Sequence, residues 1–522
     1  MKTELLQKLP GAVRTPIEEE LQRLEAENQR LTLANKCLQE RLRLILLKKY
    51  GAKSEQLTDA QLQLLEDEPG VSGREVELEA ELPEPEKAEA AKVQKRRHPG
   101  RHELPAHLPR VEKIVPCLPE QCQCGQCQRT MPVIGYDISE ELDVIPAKYV
   151  VNVIKKEKRA CRDCPEMGVS TAPSEPKPVD KCKASTGVIV DVIINKYCNH
   201  LPIYRQCAIF LREADLELSR MTLCGWVMQS GAWLEAVCGA MRADLLGGSY
   251  IQADETTIGV QSKQTKGRNH LGYMWEYSRP GGPVVFDFRM DRSREGPRKF
   301  LGQFNGFLQS DGYGAYDCIG GAGIQYAGCM AHVRRGFVDA LKLEPGNAEA
   351  ISIVGEIAQL YAVEKEAREG KLTHPEREAL RQLRSLPVLA SLKKKITALH
   401  AKHPPQTAFG KACRYALGQW ERLIVFATHG EVEIDNNWCE NAIRPIALGR
   451  KNWLHLGSEE AGPRVAAIIS VIETCRRLDI NVREYLMDVL PRIQSWPMKD
   501  IAALTPMAWA DRQAAAKSVP AA

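Results

Sequence analysis

The chain lacks any uninterrupted apolar run long enough to cross a bilayer, and it opens on no secretory signal pattern. These absences argue against a membrane-spanning helix and make the cytoplasm the expected compartment, at the nucleoid if DNA is a partner. Net charge is nearly lacking too. The 71 Lys and Arg stand against 67 Asp and Glu, for a formal +4. Bulk charge is therefore too small to hold a polyanion, and such a partner would be met by local patches. Internal repeats are not evident. Cysteine, by contrast, is plentiful. Seventeen of them, in a chain without a secretion signal, argue against a disulfide scaffold and for free thiols, some serving as metal ligands. A hydrophobic content of 44% with 26% charged residues suits a soluble globular protein, and 522 residues exceed one ordinary core, so three or more domains are expected.

Charge is unevenly spread, acidic around 64–90 and basic around 94–101, 155–162, 289–299 and 444–451. In the first region, 1–65, Ile17, Leu21, Leu24, Asn28, Leu31, Asn35, Leu38, Leu42 and Ile45 recur in alternating steps of four and three, the seam of a coiled coil. Asn28 and Asn35 would take a-type positions, where a buried Asn favours a registered dimer at some cost in stability. A homodimer or higher oligomer is expected through this helix; the plainer reading is an amphipathic helix packed on its own chain. Residues 66–110 read as a charged linker whose acidic, Pro-containing text turns basic at KVQKRRHPGR. That basic run could follow a phosphate backbone or enter a minor groove, although a solvated linker is the simpler reading.

Residues 111–180 hold Cys124 and Cys127 in one CxxC and Cys161 and Cys164 in a second, separated by strand-like text that includes LDVIPAKYVVNVIKK. Two such knuckles read as a four-thiolate tetrahedral Zn2+ site, with Cys117 and Cys122 as nearby spares and reduced structural thiols as the bland alternative. Lys155, Lys156, Lys158, Arg159 and Arg162 surround the second knuckle, which makes the module a candidate DNA contact. Residues 181–248 read as helical, either a DNA-gripping bundle or a packing platform, with Ser219 to Thr222 offering a cap. From 249 to 341, SYIQADETTIGV, LGYMWEYSR and PVVFDFRM are three short β runs. A helix near 295–305 follows, then GFLQSDGYGAY, GIQYAGC and the helical MAHVRRGFVDAL. That order suits an α/β sheet of mixed direction. Residues 342–430 are charged and helical without strand text, an all-helical insertion. The last part of the core is expected over 431–495, and an Ala- and Pro-rich tail over 496–522 is expected to fray.

The stretch IDNNWCENAIRPIALGRKNWLHLGS, 434–458, organises the rest. It opens on the capping types Asp435, Asn436 and Asn437, reads as helix from Trp438, and should be stopped or kinked at Pro445. Glu440 then lies about one turn inside, at the positive helix end where a carboxylate is favoured. Arg444, Arg450 and Lys451 follow it. Alone, Glu440 and Arg444 at i,i+4 would be a surface ion pair. Asp254, however, lies in the first β run and Asp311 at the end of the fourth, on what would be adjacent strands. Three converging carboxylates repel one another unless divalent cations neutralise them, and oxygen ligands with retained water and phosphate are what Mg2+ takes. Two such ions about 4 Å apart can activate a water or a 3′-hydroxyl and stabilise the leaving oxygen at phosphorus. Taken singly, each acid is more often a cap or a solvated charge.

ADET at 253–256, LQSDGYGAY at 308–316, GCMAHVRRGF at 328–337 and IDNNWCENAIRPIALGRKNW at 434–453 resemble motifs of the transposases of the insertion sequence 66 family. Upstream, KKYGAKSEQL, PGRHELPAHLPR, the double CxxC and SEELDVIPAKYVV match that layout in order, so the resemblance runs from about residue 15 to 493. It implies a multidomain α+β fold: an N-terminal coiled coil, a four-cysteine zinc module, and a ribonuclease-H-like α/β catalytic core with an all-helical insertion. It further implies a DDE transposase that binds the element's terminal inverted repeats and target DNA, and cuts and joins strands with two Mg2+ ions. Matched residue by residue, Asp254, Asp311 and Glu440 are the catalytic, Mg2+-binding acids, and Cys124, Cys127, Cys161 and Cys164 the Zn2+ ligands. Cys329 and His332 match a CxxH element of related transposases, with a supporting, positional role. Arg334, Arg335, Arg444, Arg450 and Lys451 would contact DNA phosphates, the plain alternative being a solvated or ion-paired face. Gln128 stands where the family usually has Gly, and Asn441 where Arg is frequent. Trp438 and Trp453 are expected in the core. The coiled coil gains a reason, since two transposon ends must be held by at least two protomers, and small accessory proteins of the element are further candidate partners. Two other readings stand beside this one: a catalytically silent zinc-containing DNA-binding and dimerising protein derived from a transposase, and a metal-dependent nuclease without strand joining. Drift would have no reason to spare all three acids, which favours the active enzyme. The zinc and basic modules exclude a carboxylate-pair glycosidase.

Overall fold

The computed structural model describes residues 11–50, 148–160 and 169–518, apart from 174, 180, 181 and 263–268, together with isolated positions between 110 and 136. Cys124, Cys127, Cys161 and Cys164, the spares Cys117 and Cys122, and the linker from 66 to 109 lie outside the described residues. The chain divides into two units, 82–155 and the remainder. In the smaller unit, residues 148–155 are exposed and belong to no strand, contrary to the expectation for LDVIPAKYVVNVIKK. Val- and Ile-rich text becomes a strand only where a partner supplies the ladder, and none does so among the described residues there.

In the larger unit, α1 (Gly11–Tyr50) is a single helix with Leu24, Leu31, Leu38 and Leu42 of its heptad seam exposed. Its C-terminal end is anchored. Arg43 Nη1 donates to Leu343 O at the end of one helix, and Glu40 Oε2 accepts from Ala408 N at the start of another, each charge at the favourable end of the helix dipole. Strands β1 (Lys158–Ala160) and β2 (Val169–Thr171) pair antiparallel on either side of residues 161–168. Three helices follow, α2 (Thr186–Tyr197), α3 (Ile203–Ala214) and α4 (Arg220–Leu246). Ser219 caps α4 as expected, its side chain accepting from Thr222 N.

The central sheet is built from β3 (Tyr250–Val260), β4 (His270–Ser278), β5 (Val284–Arg289), β6 (Phe307–Gln309) and β7 (Gln325–Ala327), in the order β5-β4-β3-β6-β7. The first three run antiparallel and β3, β6 and β7 run parallel, the mixed direction that the β-run order suggested. Helix α5 (Glu295–Leu301) is shorter than expected. So is β6, because Gly312 turns the chain at a φ of 87° just beyond it. Past the sheet, α6 (Met330–Leu343), α7 (Ala348–Glu369), α8 (His374–Lys402), α9 (Ala408–Gly418) and the short α10 (Trp420–Leu423) form a second core around Phe337, Ile353, Ile357, Leu360, Leu392 and Ile396. The chain then returns to the sheet as α11 (Asn437–Trp453) and β8 (His455–Leu456), which pairs with β3.

Helix α11 runs straight through Pro445, so the expected stop there does not occur. A mid-helix proline costs about 3 kcal/mol. Here the helix is held from both sides of it, with Ile443, Ile446 and Gly449 buried and Arg450 bonded to Thr257 of β3. The last helices are α12 (Ala461–Arg477), α13 (Val482–Ile493) and α14 (Pro506–Ser518). The 496–518 stretch is ordered rather than frayed. Leu504 and Trp509 are buried, Tyr485 OH donates to Leu504 O, and Trp509 Nε1 donates to Asp488 Oδ2. Helix α12 closes the open edge of the sheet: Ser470 and Thr474, one turn apart, accept from the N–H groups of Phe286 and Val284. Gly231 of α4 permits that layer, since a Cβ there would lie 2.8 Å from Arg464 on α12. Among the described residues no helix is long and apolar enough to cross a membrane.

The helical insertion is tied to the segment before α11 by buried charge. Arg381, with no exposed surface, donates to both oxygens of Glu364 and to the carbonyls of Phe426 and His429. Arg377 donates to Glu364 and, at 2.7 Å, to Glu433. Removing one member strands the others without water. Arg381→Leu is expected to cost about 3–5 kcal/mol in a denaturant titration, and Arg381→Leu combined with Glu364→Leu less than the sum of the two single changes.

Candidate active site

Strands β3 and β6 are parallel neighbours with Gln252 opposite Gln309. Asp254 and Asp311 lie two residues beyond these glutamines, so the period of a strand directs each Gln and its Asp to one face of the sheet. Asp311 stands two residues past the end of β6 rather than within it. Both aspartates are half-buried. Asp254 Oδ1 accepts from Glu255 N at 2.7 Å and Asp311 Oδ1 from Tyr313 N at 2.8 Å, which leaves Oδ2 of each outside these bonds. From the insertion, Tyr415 OH donates to the Asp311 carbonyl and steadies the turn.

The glutamines bring the third acid in. Gln252 Nε2 lies 3.0 Å from Gln309 Oε1 and 2.9 Å from Asp435 O, and its Oε1 accepts from Cys439 N. Gln309 Nε2 donates to Gly328 O and Glu433 O, and Tyr250 OH bonds to both amide side chains. Asn436 adds a bond from Nδ2 to Ala253 O. Segment 433–439, which launches α11, is thus stitched to both aspartate strands. Asn436 takes the N-cap position without a side-chain cap bond; Asp435, one residue earlier, accepts at Oδ1 from Asn437 N, while Tyr361 of the insertion donates to Oδ2. Glu440 follows in the first helical turn.

Electrostatics registers this convergence. Burial, then the neighbouring Glu440 and Glu255, and in smaller measure Asp311, hold the Asp254 carboxyl well above its usual pKa. Glu255 itself is taken by Arg292 Nε at 2.8 Å and Tyr316 OH at 2.8 Å. On Glu440, Arg335 Nη2 donates to Oε2 at 2.9 Å, and His332 Nδ1 stands 3.5 Å from Oε1, too far for a hydrogen bond. Arg335 Nη1 lies 3.2 Å from His332 Nε2. Burial, aided by Arg335, keeps His332 below its usual pKa in spite of Glu440 and Asp311. Cys329, His332 and Glu440 offer ligand atoms within 4.8 Å of one another. The Cys329 thiol is pushed well up by burial, and its sulfur accepts from Asn436 N, joining the first residues of α6 to the segment before α11.

The expected basic contacts divide. Arg335, Arg444 and Lys451 are exposed and Arg334 half-buried, whereas Arg450 is engaged by Thr256 and Thr257 of β3. Trp438 lies under Arg477 and Trp453 under Lys196, both half-buried in packing positions. The glutamine pair was missed in the sequence, although QAD and QSD repeat one pattern on the two strands. So was Glu276, which faces Asp254 across β4, is fully buried, and receives the Cys439 thiol. Burial pushes its carboxyl up to about 8. Nothing local in the sequence marks it.

Four family models match the chain: "Transposase IS66 family" over residues 181–464, "Transposase C of IS166 homeodomain" over 37–112, "zinc-finger binding domain of transposase IS66" over 121–165, and "IS66 C-terminal element" over 470–507. The zinc-finger match encloses Cys124, Cys127, Cys161 and Cys164. Among curated relatives from Sinorhizobium fredii (strain NBRC 101917 / NGR234), uncharacterized protein y4qI is 32% identical over 507 residues, 92% of each chain. Uncharacterized protein y4jD is 33% identical over 407 residues, 75% of this chain and 78% of the relative.

Glu276 sets a pH test. It keeps its proton in the folded protein while the unfolded chain ionises near 4.5, so the folded state binds more protons and loses stability as pH rises from about 4.5 to about 8. Glu276→Gln should flatten that decline in denaturant midpoints measured across the same window.

Proposed function

The chain belongs to the IS66 transposase family, with an N-terminal leucine-zipper domain, a zinc-finger domain and a DDE transposase domain, and we propose that it binds its element's terminal inverted repeats and cuts and joins DNA through Asp254, Asp311 and Glu440. The observation that carries this reading is the bonding of β3, β6 and the segment that launches α11 into one unit through Gln252 and Gln309, which brings an acid from each to one end of the sheet; burial, then Glu440 and in smaller measure Asp311, raise the Asp254 carboxyl there. The strand order β5-β4-β3-β6-β7, with its antiparallel half and its parallel half, supports a ribonuclease-H-like core.

The donor set fits a hard divalent cation. Asp254 and Asp311 each keep one carboxylate oxygen outside the backbone bonds just described, and Glu440 Oε1 has no hydrogen-bond partner among the described residues. Mg2+, when bound, would neutralise these acids and activate the attacking water or 3′-hydroxyl. The chain's own part is positioning. The sheet fixes two acids, the glutamine pair fixes the helix that carries the third, and Arg450 pins that helix to β3. Arg335, which meets Glu440, and Arg334, Arg444 and Lys451 on the helices α6 and α11 serve as phosphate contacts. Cys124, Cys127, Cys161 and Cys164 hold Zn2+ in a DNA-contacting finger. The exposed leucine seam of α1 pairs two protomers so that both ends are brought together.

The test is cleavage and strand transfer on DNA bearing the element's own ends. Asp254→Asn, Asp311→Asn and Glu440→Gln should each bind the ends while losing both reactions by at least about a hundredfold. If the unaltered protein binds and neither cuts nor joins, with Mn2+ and accessory proteins supplied, the silent DNA-binding reading replaces this one. A second outcome follows from the raised Asp254 pKa, which makes its charge a cost to folding at neutral pH. In EDTA, Asp254→Asn should raise the thermal midpoint above that of the unaltered protein.

A further inference from the structure

Glu440 differs from the two aspartates in what meets it. Asp254 and Asp311 receive backbone N–H groups, which carry no net charge, while Glu440 receives the guanidinium of Arg335. Other arginines around the acids are committed to the framework: Arg292 to Glu255 and the Tyr313 ring, Arg422 to Asp317, Arg450 to Thr256 and Thr257. Arg335 is placed otherwise. Its side chain is 53% exposed against 25% for Glu440, so it can leave by rotating about its own bonds. Its second amino group rests on the His332 ring, which orients the fork. Cys329 fixes the approach by accepting Asn436 N–H, so the start of α6 and the segment that launches α11 stay together whichever way Arg335 turns.

We propose that Arg335 is a latch on the third acid. In the DNA-free protein its guanidinium stands where a divalent cation would supply charge to Glu440. A DNA backbone phosphate, a second oxyanion matched to the same planar fork, draws it away. The inference rests on reading Asp254, Asp311 and Glu440 as a divalent-cation site. A cation that reaches Glu440 must displace Arg335 or tolerate its charge, so it binds weakly while the pair holds. DNA that takes the arginine returns the carboxylate. Metal and DNA therefore favour each other's binding, and by linkage the coupling is equal in both directions. The site is completed on the substrate, which keeps a loaded nuclease centre from forming away from DNA.

The test is Mn2+ binding by titration calorimetry to the full, zinc-replete chain, with and without duplex carrying the element's end. For the unaltered protein, DNA should tighten Mn2+ by about three- to tenfold, the scale of a half-exposed ion pair. Arg335→Gln should tighten DNA-free Mn2+ binding by a similar factor and erase the dependence on DNA. Asp254→Asn serves as the control for the site itself and should weaken Mn2+ in either background. If Asp254→Asn weakens Mn2+ but Arg335→Gln leaves the DNA-free affinity unchanged or lowers it, the latch is overturned and the site stands. If Asp254→Asn leaves Mn2+ binding untouched, the cation-site reading falls and the latch with it.

Discussion

Gln252 and Gln309 face each other across two parallel strands, fully buried, and their amides are satisfied by one another, by Tyr250, by the Gly328 carbonyl and by the main chain of 433–439. An unpaired buried amide costs on the order of 1–3 kcal/mol, so the network is held as a unit. Because each glutamine sits one strand period before an aspartate, the bonds that satisfy them also set the spacing of Asp254, Asp311 and the helix bearing Glu440. Shifting any one element would leave amides of the others without partners. The arrangement resists deformation at the place where the acids repel each other.

The insertion reinforces this from outside the sheet. Glu364, Arg377, Arg381 and Glu433 bury two positive and two negative side chains with their hydrogen bonds met. Such a cluster is weak as a source of stability but strict about geometry, since any mismatch leaves a charge without water. Through Glu433, Tyr361 and Tyr415 the insertion touches the segment before α11 and the Asp311 turn alike. It acts as a wall that fixes two of the three acids' surroundings, besides enlarging the core.

Two carboxyl groups held above their ordinary pKa, Asp254 on β3 and Glu276 opposite it on β4, show where folding was compromised. Asp254 opposes folding because it is buried and, in smaller measure, because other acids stand beside it. Glu276 does so because it is fully buried, which outweighs the Cys439 thiol that meets it. The first has a clear chemical use. The second keeps a proton next to the strand and helix that carry two of the acids.

What the sequence determined by itself was local. The heptad steps of α1, the three β runs, the Ser219 cap and the helix bearing Glu440 follow from periodicity and capping chemistry, which act over a few residues. Motif order carried the family and named the acids. Tertiary structure decided the rest. It carried α11 through Pro445, because burial on both sides outweighs one lost hydrogen bond. It ordered the tail by burying Leu504 and Trp509. It separated Arg450, bonded to a strand, from Arg335, resting on an acid, though their side chains are chemically identical. It also paired Gln252 with Gln309, 57 residues apart. A hydrogen-bond partner that far along the chain leaves no trace in local spacing, because the strand register that creates it is chosen by the packing of the whole sheet.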